Sequence, residues 1–317
     1  MIFLDPSAES QQNEQIGDFR QYVRKTVSKD SLLLEVGPSY SPVFSRAEGY
    51  NVRTLDHLDA AELRKKYAEL NVDISKIETV DYIWHGEPIH EAVLGQKFDY
   101  VLASHVIEHA PSFVHFLREI QLALKPDGKI ILMVPDKRYC FDFLHPVTDT
   151  AKVLAEYSRG SRRHSFEAFY REHSHARAKY LQDTFDLTWG QGDIEAIRFD
   201  NNDPVHFYQE ALSRSGSIEY CDTHEYYFTP SSFLLIMLEL QFMGILDLEV
   251  ETLTFSRGCE FMAVLTSGSG NNHGIDWYRD MRRELSVNVL REQKNVWDKI
   301  SSLQQPINLG FLKNIDQ

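Results

Sequence analysis

Leu32-Leu33-Leu34-Glu35-Val36-Gly37-Pro38-Ser39-Tyr40-Ser41 is the stretch whose reading decides the fold. An apolar run that stops at a glycine reads as a short strand buried on both faces. Glu35 sits inside that run, and an unpaired buried carboxylate is costly, so it needs a polar partner. Gly37 lets the chain turn sharply and lets a ligand approach the backbone. Strand, acid and glycine together predict the first strand and first loop of a fold that holds a nucleotide-like ligand.

The 317 residues around it are 43% hydrophobic and 25% charged, which is ordinary globular composition. The length suits one large domain, or one domain with a sizeable addition. A formal net charge of −14 is ill suited to wrapping DNA or RNA, which needs clustered Lys and Arg. It leaves room for a small anionic substrate held by a few local cations. Cys140, Cys221 and Cys259 form no CxxC pair, and their odd number argues against a disulfide framework. A reducing, cytoplasmic location is therefore expected. Met1-Ile2-Phe3-Leu4-Asp5-Pro6 is too short an apolar start for a signal peptide. The longest apolar run, 233–240, is broken by Glu239 and falls short of the ~20 residues that span a bilayer.

Strands are expected at 32–36, 52–55, 80–84, 100–103 and 129–134. A short helix is expected near 19–23 and a charged one over 60–70. The clearest helix carries Phe113, Phe116, Leu117, Ile120 and Leu124 on one face, and Lys125-Pro126-Asp127-Gly128 ends it. Strands separated by helices predict βαβ units and a parallel sheet. From 137 to 222 the pattern dissolves into a stretch rich in His, Arg, Tyr, Phe and Asp. It has helical patches at 151–157 and 166–180, loops at 190–193 and 201–204, and no strong strand. Thr229-Pro230 is a helix start, with Phe233, Ile236, Met237 and Leu240 facing inward and Gly244 closing. The stretches 246–255 and 260–266 read as an antiparallel pair joined by Ser256-Arg257-Gly258. Residues 268–272 form a joint. The stretch 275–303 is one helix or two, with Tyr278, Met281, Leu285 and Val289 on one face.

Glu35-x-Gly37, Asp56, Gly86-Glu87, Phe98-Asp99-Tyr100-Val101, Ser104-His105-Val106-Ile107-Glu108-His109 and Leu124-Lys125-Pro126-Asp127-Gly128 follow one another in that order. In this order they resemble a class I S-adenosylmethionine-dependent methyltransferase, of the methyltransferase type 11-like kind. The resemblance covers about 31–136 and returns at 223–266. It implies an α/β fold: a Rossmann-like, doubly wound seven-stranded sheet, mostly parallel with an antiparallel C-terminal strand, plus a largely helical insertion. It implies an N-terminal extension at 1–30 and a cofactor-binding core at 31–136 and 223–268. The acceptor-binding insertion is then 137–222, and 269–317 is a C-terminal helical segment that packs on the core or on a second copy in a homodimer. The cofactor implied is S-adenosylmethionine. Gly37, Pro38 and Ser39 would cradle it, and Asp56, with His57 beside it, would accept the ribose hydroxyls. Glu87 would meet the adenine amine, and Ser104 and His105 would flank the sulfonium. Glu35 would lie near the methionine amine, or serve as a structural acid. The loop departs from the Gly-x-Gly-x-Gly pattern of the family: only Gly37 remains, and Pro38 stiffens it.

Asp136-Lys137-Arg138-Tyr139 and Asp222-Thr223-His224 resemble elements of methyltransferases from bacterial sugar and polysaccharide pathways. On that resemblance Lys137, Arg138, Tyr139 and Asp222 would bind the acceptor, a small molecule or glycan. Carboxylates accept from sugar hydroxyls, and guanidinium grips phosphate or carboxylate in a fork. A base helps methyl transfer to a hydroxyl, and histidine titrates in the useful range. The candidates are His109, then His224, with Asp136 as a third. The pair His173 and His175, with His164, Glu172 and Asp183, has no diagnostic metal spacing, so no metal ligand is assigned. Two rivals remain. A nicotinamide-dependent oxidoreductase needs a further glycine where Ser41-Pro42 stands. A lapsed methyltransferase acting as a binding subunit would have no affinity for the cofactor.

Overall fold

Every residue of β1 (Leu33–Val36) is buried, as a central strand covered on both faces requires. The computed structural model describes residues 16–179, 185–188, 194, 196–199, 203–215, 221–268 and 273–301. The expected loops at 190–193 and 201–202, most of the joint at 268–272, the side chains Tyr180, Asp183 and Trp189, and the chain beyond 301 lie outside the described residues.

The main sheet runs, in spatial order, β3 (Tyr82–Ile83), β2 (Val52–Asp56), β1, β4 (Phe98–Ser104), β5 (Leu124–Pro135), β10 (Glu260–Ser267) and β9 (Leu248–Leu253). All pairings from β3 to β5 are parallel, and β10 alone runs against both its neighbours. Side chains alternate across the pleat. Leu34, Val36, Val101, Ala103, Ile130 and Leu132 share one core with α4 (Phe113–Leu122) and α8 (Pro230–Phe242). Leu33, Leu102, Ile131, Met133 and Met262 face the other way and pack with Phe19 and Val23 of α1 (Phe19–Thr26). The sheet is thus doubly wound. Its order reverses between β1 and β4, and an open α/β sheet binds ligands at such a switch point, beyond the carboxyl ends of the strands.

Three stretches take a more definite form in the structure. β5 begins at Leu124, which pairs with Phe98, and the next pair is Tyr100 with Lys129. The turn at 125–128 therefore bulges from a strand already under way. α9 (Ile275–Ser301) is a single helix. It packs on α8, with Met281 and Leu285 buried and the rings of Tyr278 and Phe242 stacked 4.0 Å apart. Covered by the sheet on one side and α9 on the other, α8 is apolar nearly all round. The insertion holds α5 (Thr150–Ser158), α6 (Phe166–Glu172) and α7 (Pro204–Arg214). It also holds a small antiparallel sheet, β6 (Ala176–Lys179) between β7 (Phe185–Asp186) and β8 (Ala196–Phe199). Ala-Arg-Ala-Lys has helix-forming composition, and its pairing with β7 and β8 makes it a strand.

Glu225 ties the insertion to the core. It accepts from Ser165 N–H (2.9 Å) and Ser165 Oγ (2.6 Å) and pairs with Lys152 of α5. No helix among the described residues is long and apolar enough to cross a membrane.

Candidate active site

A cleft of about 840 Å³ opens at the carboxyl ends of β1, β2 and β4. One wall is the loop after β1. The opposite wall comes from the insertion, with Arg162, Arg163, His164, Phe169 and Arg214. Arg162 pairs with Glu119 and Arg214 with Glu172, each at 2.7 Å.

Gly37 has φ 62°, and a Cβ there would stand 2.9 Å from Val106 Cγ2. Both facts require glycine. Its N–H donates to Leu55 O at 2.8 Å. Ser39 also takes a left-handed backbone, φ 47°, and its N–H donates to Asp56 Oδ2 at 2.9 Å. A charge-assisted bond thus holds a conformation that non-glycine residues disfavour. Arg20 from α1 donates to Ser41 O (2.9 Å), and Tyr40 packs edge-on against Tyr67 at 4.8 Å. The loop keeps its shape through side chains where a glycine-rich loop relies on backbone freedom.

Glu35 lines the same cleft, with its carboxylate held by the main chain. It is 2% exposed, and its carboxylate accepts from Val43 N–H (2.6 Å) and Phe44 N–H (3.1 Å). Burial raises its pKa from 4.5 to about 7, against the lowering pull of those two donors. The folded chain therefore keeps a proton on Glu35 that the unfolded chain releases above about pH 4.5. The stability this contributes is full below that pH and is lost as pH rises through about 7. Melting curves of wild type and Glu35→Gln from pH 4.5 to 8 should show the wild type losing ground to the variant as pH rises. A constant difference between the two would contradict the assignment. Glutamine can accept from only one of the two N–H groups, which adds a pH-independent cost of about 1–3 kcal/mol.

Asp56 lies on the cleft wall, 2% exposed. Besides Ser39, it accepts from His57 N–H at 2.8 Å and contacts His57 Nδ1 at 2.7 Å. Lys66 Nζ lies 3.0 Å from His57 Nε2. Pro38, Ser39, His57, Ser104 and His105 line the same cleft. Ser104 Oγ is buried and has no hydrogen-bond partner among the described residues. His105 has φ 53° and contacts Glu260 Oε2 through Nε2 at 2.7 Å. Glu87, expected at the adenine, is not on the cleft. Gly86, at φ 95°, turns the chain so that the Glu87 carboxylate accepts from His85 N–H at 2.9 Å. Trp84, His85 and Gly86 take the wall position instead.

At the far end stands a polar cluster. Glu108 is fully buried, and neither carboxylate oxygen has a hydrogen-bond partner among the described residues. His109 lines the cleft. Its Nδ1 contacts Thr223 O (3.2 Å) and Asp222 Oδ1 (3.3 Å), and its Nε2 lies 3.8 Å from Glu108 Oε1. His224 stands behind it, rings 4.5 Å apart and edge to face, with Nδ1 on Asp142 Oδ2 at 2.7 Å. Burial, with His224 close by, holds the His109 imidazole well below its ordinary range. Burial works the same way on His224, but the Asp142 charge and hydrogen bond outweigh it and raise it to about 9. Burial raises Glu108. Asp222 lies beside His109 on the cleft.

Three expected acceptor-site residues and one candidate base lie elsewhere. Asp136 is 0% exposed and forms a forked pair with Arg138, Nε to Oδ1 2.9 Å and to Oδ2 3.0 Å, with Ser256 Oγ donating to the same carboxylate. Lys137 is buried and donates to Phe143 O at 2.8 Å. Tyr139 lies under the Arg138 guanidinium, 5.0 Å from its ring centre. The reason is the main chain. Asp136 N–H donates to Cys259 O (2.8 Å) and Lys137 N–H to Phe228 O (2.9 Å), which carries this segment under the β10 edge, away from the cleft. Glu108 and Asp142 have no spacing to single them out. The available signal for Glu108 is an acid beside a histidine in a loop that follows a strand; Asp142 has none.

Fold and cleft together are those of a doubly wound α/β protein with a large opening at the carboxyl edge of its sheet. The profile of a family described as "Methyltransferase domain" matches residues 8–242, and the chain belongs to that family. It is an S-adenosylmethionine-dependent methyltransferase. No protein of curated function matches it. Among solved structures it is similar to the CcbJ methyltransferase of Streptomyces caelestis, at 12% identity over 83% of this chain and 96% of that one, TM-score 0.40. It is also similar to an S-adenosylmethionine-dependent methyltransferase of Mesorhizobium loti, at 10% identity over 79% and 98%, TM-score 0.39. A glycopeptide N-methyltransferase, MtfA, complexed with sinefungin, matches at 14% identity over 78% and 91%, TM-score 0.38.

Proposed function

We propose that the chain transfers the methyl group of S-adenosylmethionine to a hydroxyl of a sugar or another small polar acceptor. The observation that carries this reading is the cleft, with a nucleotide-type loop on one wall and polar insertion side chains on the other. The cofactor lies along Gly37, Pro38 and Ser39, with Asp56 and His57 toward its ribose. The Ser104 hydroxyl supplies a buried, unpartnered group for it. The acceptor sits between the 104–109 loop and the insertion, where Arg162, Arg163, His164 and Arg214 suit hydroxyls and negative charge. The acceptor oxygen forms a bond to the methyl carbon as the sulfur–carbon bond breaks. The electron pair stays on sulfur, which leaves as S-adenosylhomocysteine, and the hydroxyl proton passes to the cluster around His109 or to water beside it. Much of the rate comes from positioning. The narrower expectation of an acceptor from a bacterial sugar or polysaccharide pathway rests on the sequence resemblance. An odd number of cysteines with no CxxC pair favours a reducing compartment such as the cytoplasm.

Methyl-tritiated S-adenosylmethionine, offered with a panel of nucleotide sugars, hydroxy acids and amines, should label a hydroxyl-bearing member and leave amine-only acceptors unlabelled. Label on an amine alone would move the target atom to nitrogen. Cofactor binding with no transfer to any member would leave a binding subunit.

A further inference from the structure

We propose that Glu108, His109 and His224 form a binding site for one divalent transition-metal cation, of the zinc, cobalt or manganese kind. One ligand atom from each lies within 4.8 Å of the others. Bonds of about 2.0–2.2 Å to a shared ion place ligand atoms about 3–4 Å apart, so the cluster as it stands is slightly open.

Two observations point to a cation rather than to an ordinary polar core. The first is Glu108. A fully buried carboxylate with neither oxygen hydrogen-bonded is costly and calls for an explanation. No imidazole beside it hydrogen-bonds it: His105 Nδ1 stands 3.9 Å away and His105 Nε2 is taken by Glu260, His109 Nε2 stands 3.8 Å away, and a metal bound at the His224 nitrogen, within 4.8 Å, displaces the proton that ring carries. The second is the orientation of the imidazoles. His109 turns Nδ1 to Thr223 O, and His224 turns Nδ1 to Asp142 Oδ2. A carbonyl or carboxylate behind one ring nitrogen is what aims the other at a metal. Two imidazole nitrogens and one carboxylate suit borderline transition metals, whereas magnesium and calcium favour all-oxygen sets. His109 lines the cleft and His224 does not. The open coordination positions therefore face the cleft, where an acceptor oxygen would bind and become more acidic. That consequence rests on the proposed methyl transfer; the binding of the cation does not.

The test uses the full-length chain, stripped with a chelator, dialysed, and titrated with zinc(II) and manganese(II) under calorimetry. Bound metal is then counted by plasma mass spectrometry. One equivalent is expected in wild type. Glu108→Gln and His224→Ala should each bind at least about 10-fold more weakly. Cobalt(II) in wild type should give visible absorption bands that change in His109→Gln. Glu108→Gln decides the matter even if a histidine variant unfolds, because the Glu108 side chain has no hydrogen bond to lose among the described residues. No bound metal in wild type, or equal binding in wild type and Glu108→Gln, overturns the site. Calorimetry with S-adenosylmethionine on the same sample keeps the two proposals apart. Cofactor bound without metal removes only the cation site, and metal bound without cofactor removes only the proposed methyl transfer.

Discussion

Asp136→Ala should lower the free energy of unfolding by about 3–5 kcal/mol, the cost of leaving one partner of a buried ion pair alone. The partner is Arg138, 8% exposed, whose guanidinium has its fork on that carboxylate. Asp136 also accepts from Arg138 N–H at 2.9 Å and from Ser256 Oγ, and it joins β5 to the β10 edge. Removing both charges is a different matter. An Asp136→Leu/Arg138→Met double variant trades a desolvated pair for apolar packing and should be more stable than the single Asp136→Ala change. Urea unfolding of wild type, Asp136→Leu, Arg138→Met and the double closes a cycle and gives the coupling energy directly. Additive effects would mean that the pair holds nothing together. Cofactor affinity should be unchanged in any variant that folds, since none of these side chains reaches the cleft.

Asp56→Ala should weaken S-adenosylmethionine binding about 10- to 100-fold, the range expected when a charged hydrogen-bond partner worth about 1.5–3 kcal/mol is removed. Three nitrogen contacts already engage the carboxylate, from Ser39 N–H, His57 N–H and His57 Nδ1. Its removal therefore acts twice. The ribose loses an acceptor, and Ser39 loses the bond that holds its left-handed backbone. Asp56→Asn keeps an oxygen for Ser39 and should lose less. Calorimetry with the cofactor measures both, with thermal unfolding as a control for the fold. Wild-type affinity in Asp56→Ala would sink the ribose assignment.

Asp56 lines the cleft and Asp136 does not, and the difference shows how far local sequence reading reaches. Asp56 is legible because its place is local: an acid closes a short apolar strand two positions along the alternation, and the strand carries it to the sheet edge. Asp136 closes a strand in the same way and looks equivalent in sequence. It differs because β10 and the segment before α8 cover the end of β5, and neither is near it in sequence. The same holds for Glu87, which a local turn folds back onto itself, and for Glu35, whose donors lie eight and nine residues ahead.

The sequence by itself determined the doubly wound sheet, its reversed strand, the glycine turn after β1 and the family resemblance. These rest on periodicity and on short motifs, and both are local. Only the tertiary structure decided that Lys137 and Arg138 are buried, that residues 176–179 form a strand, and that Glu108 and His109 meet His224 from more than a hundred residues away. Burial and pairing between distant segments depend on which surfaces the fold brings together, and no spacing along the chain records that.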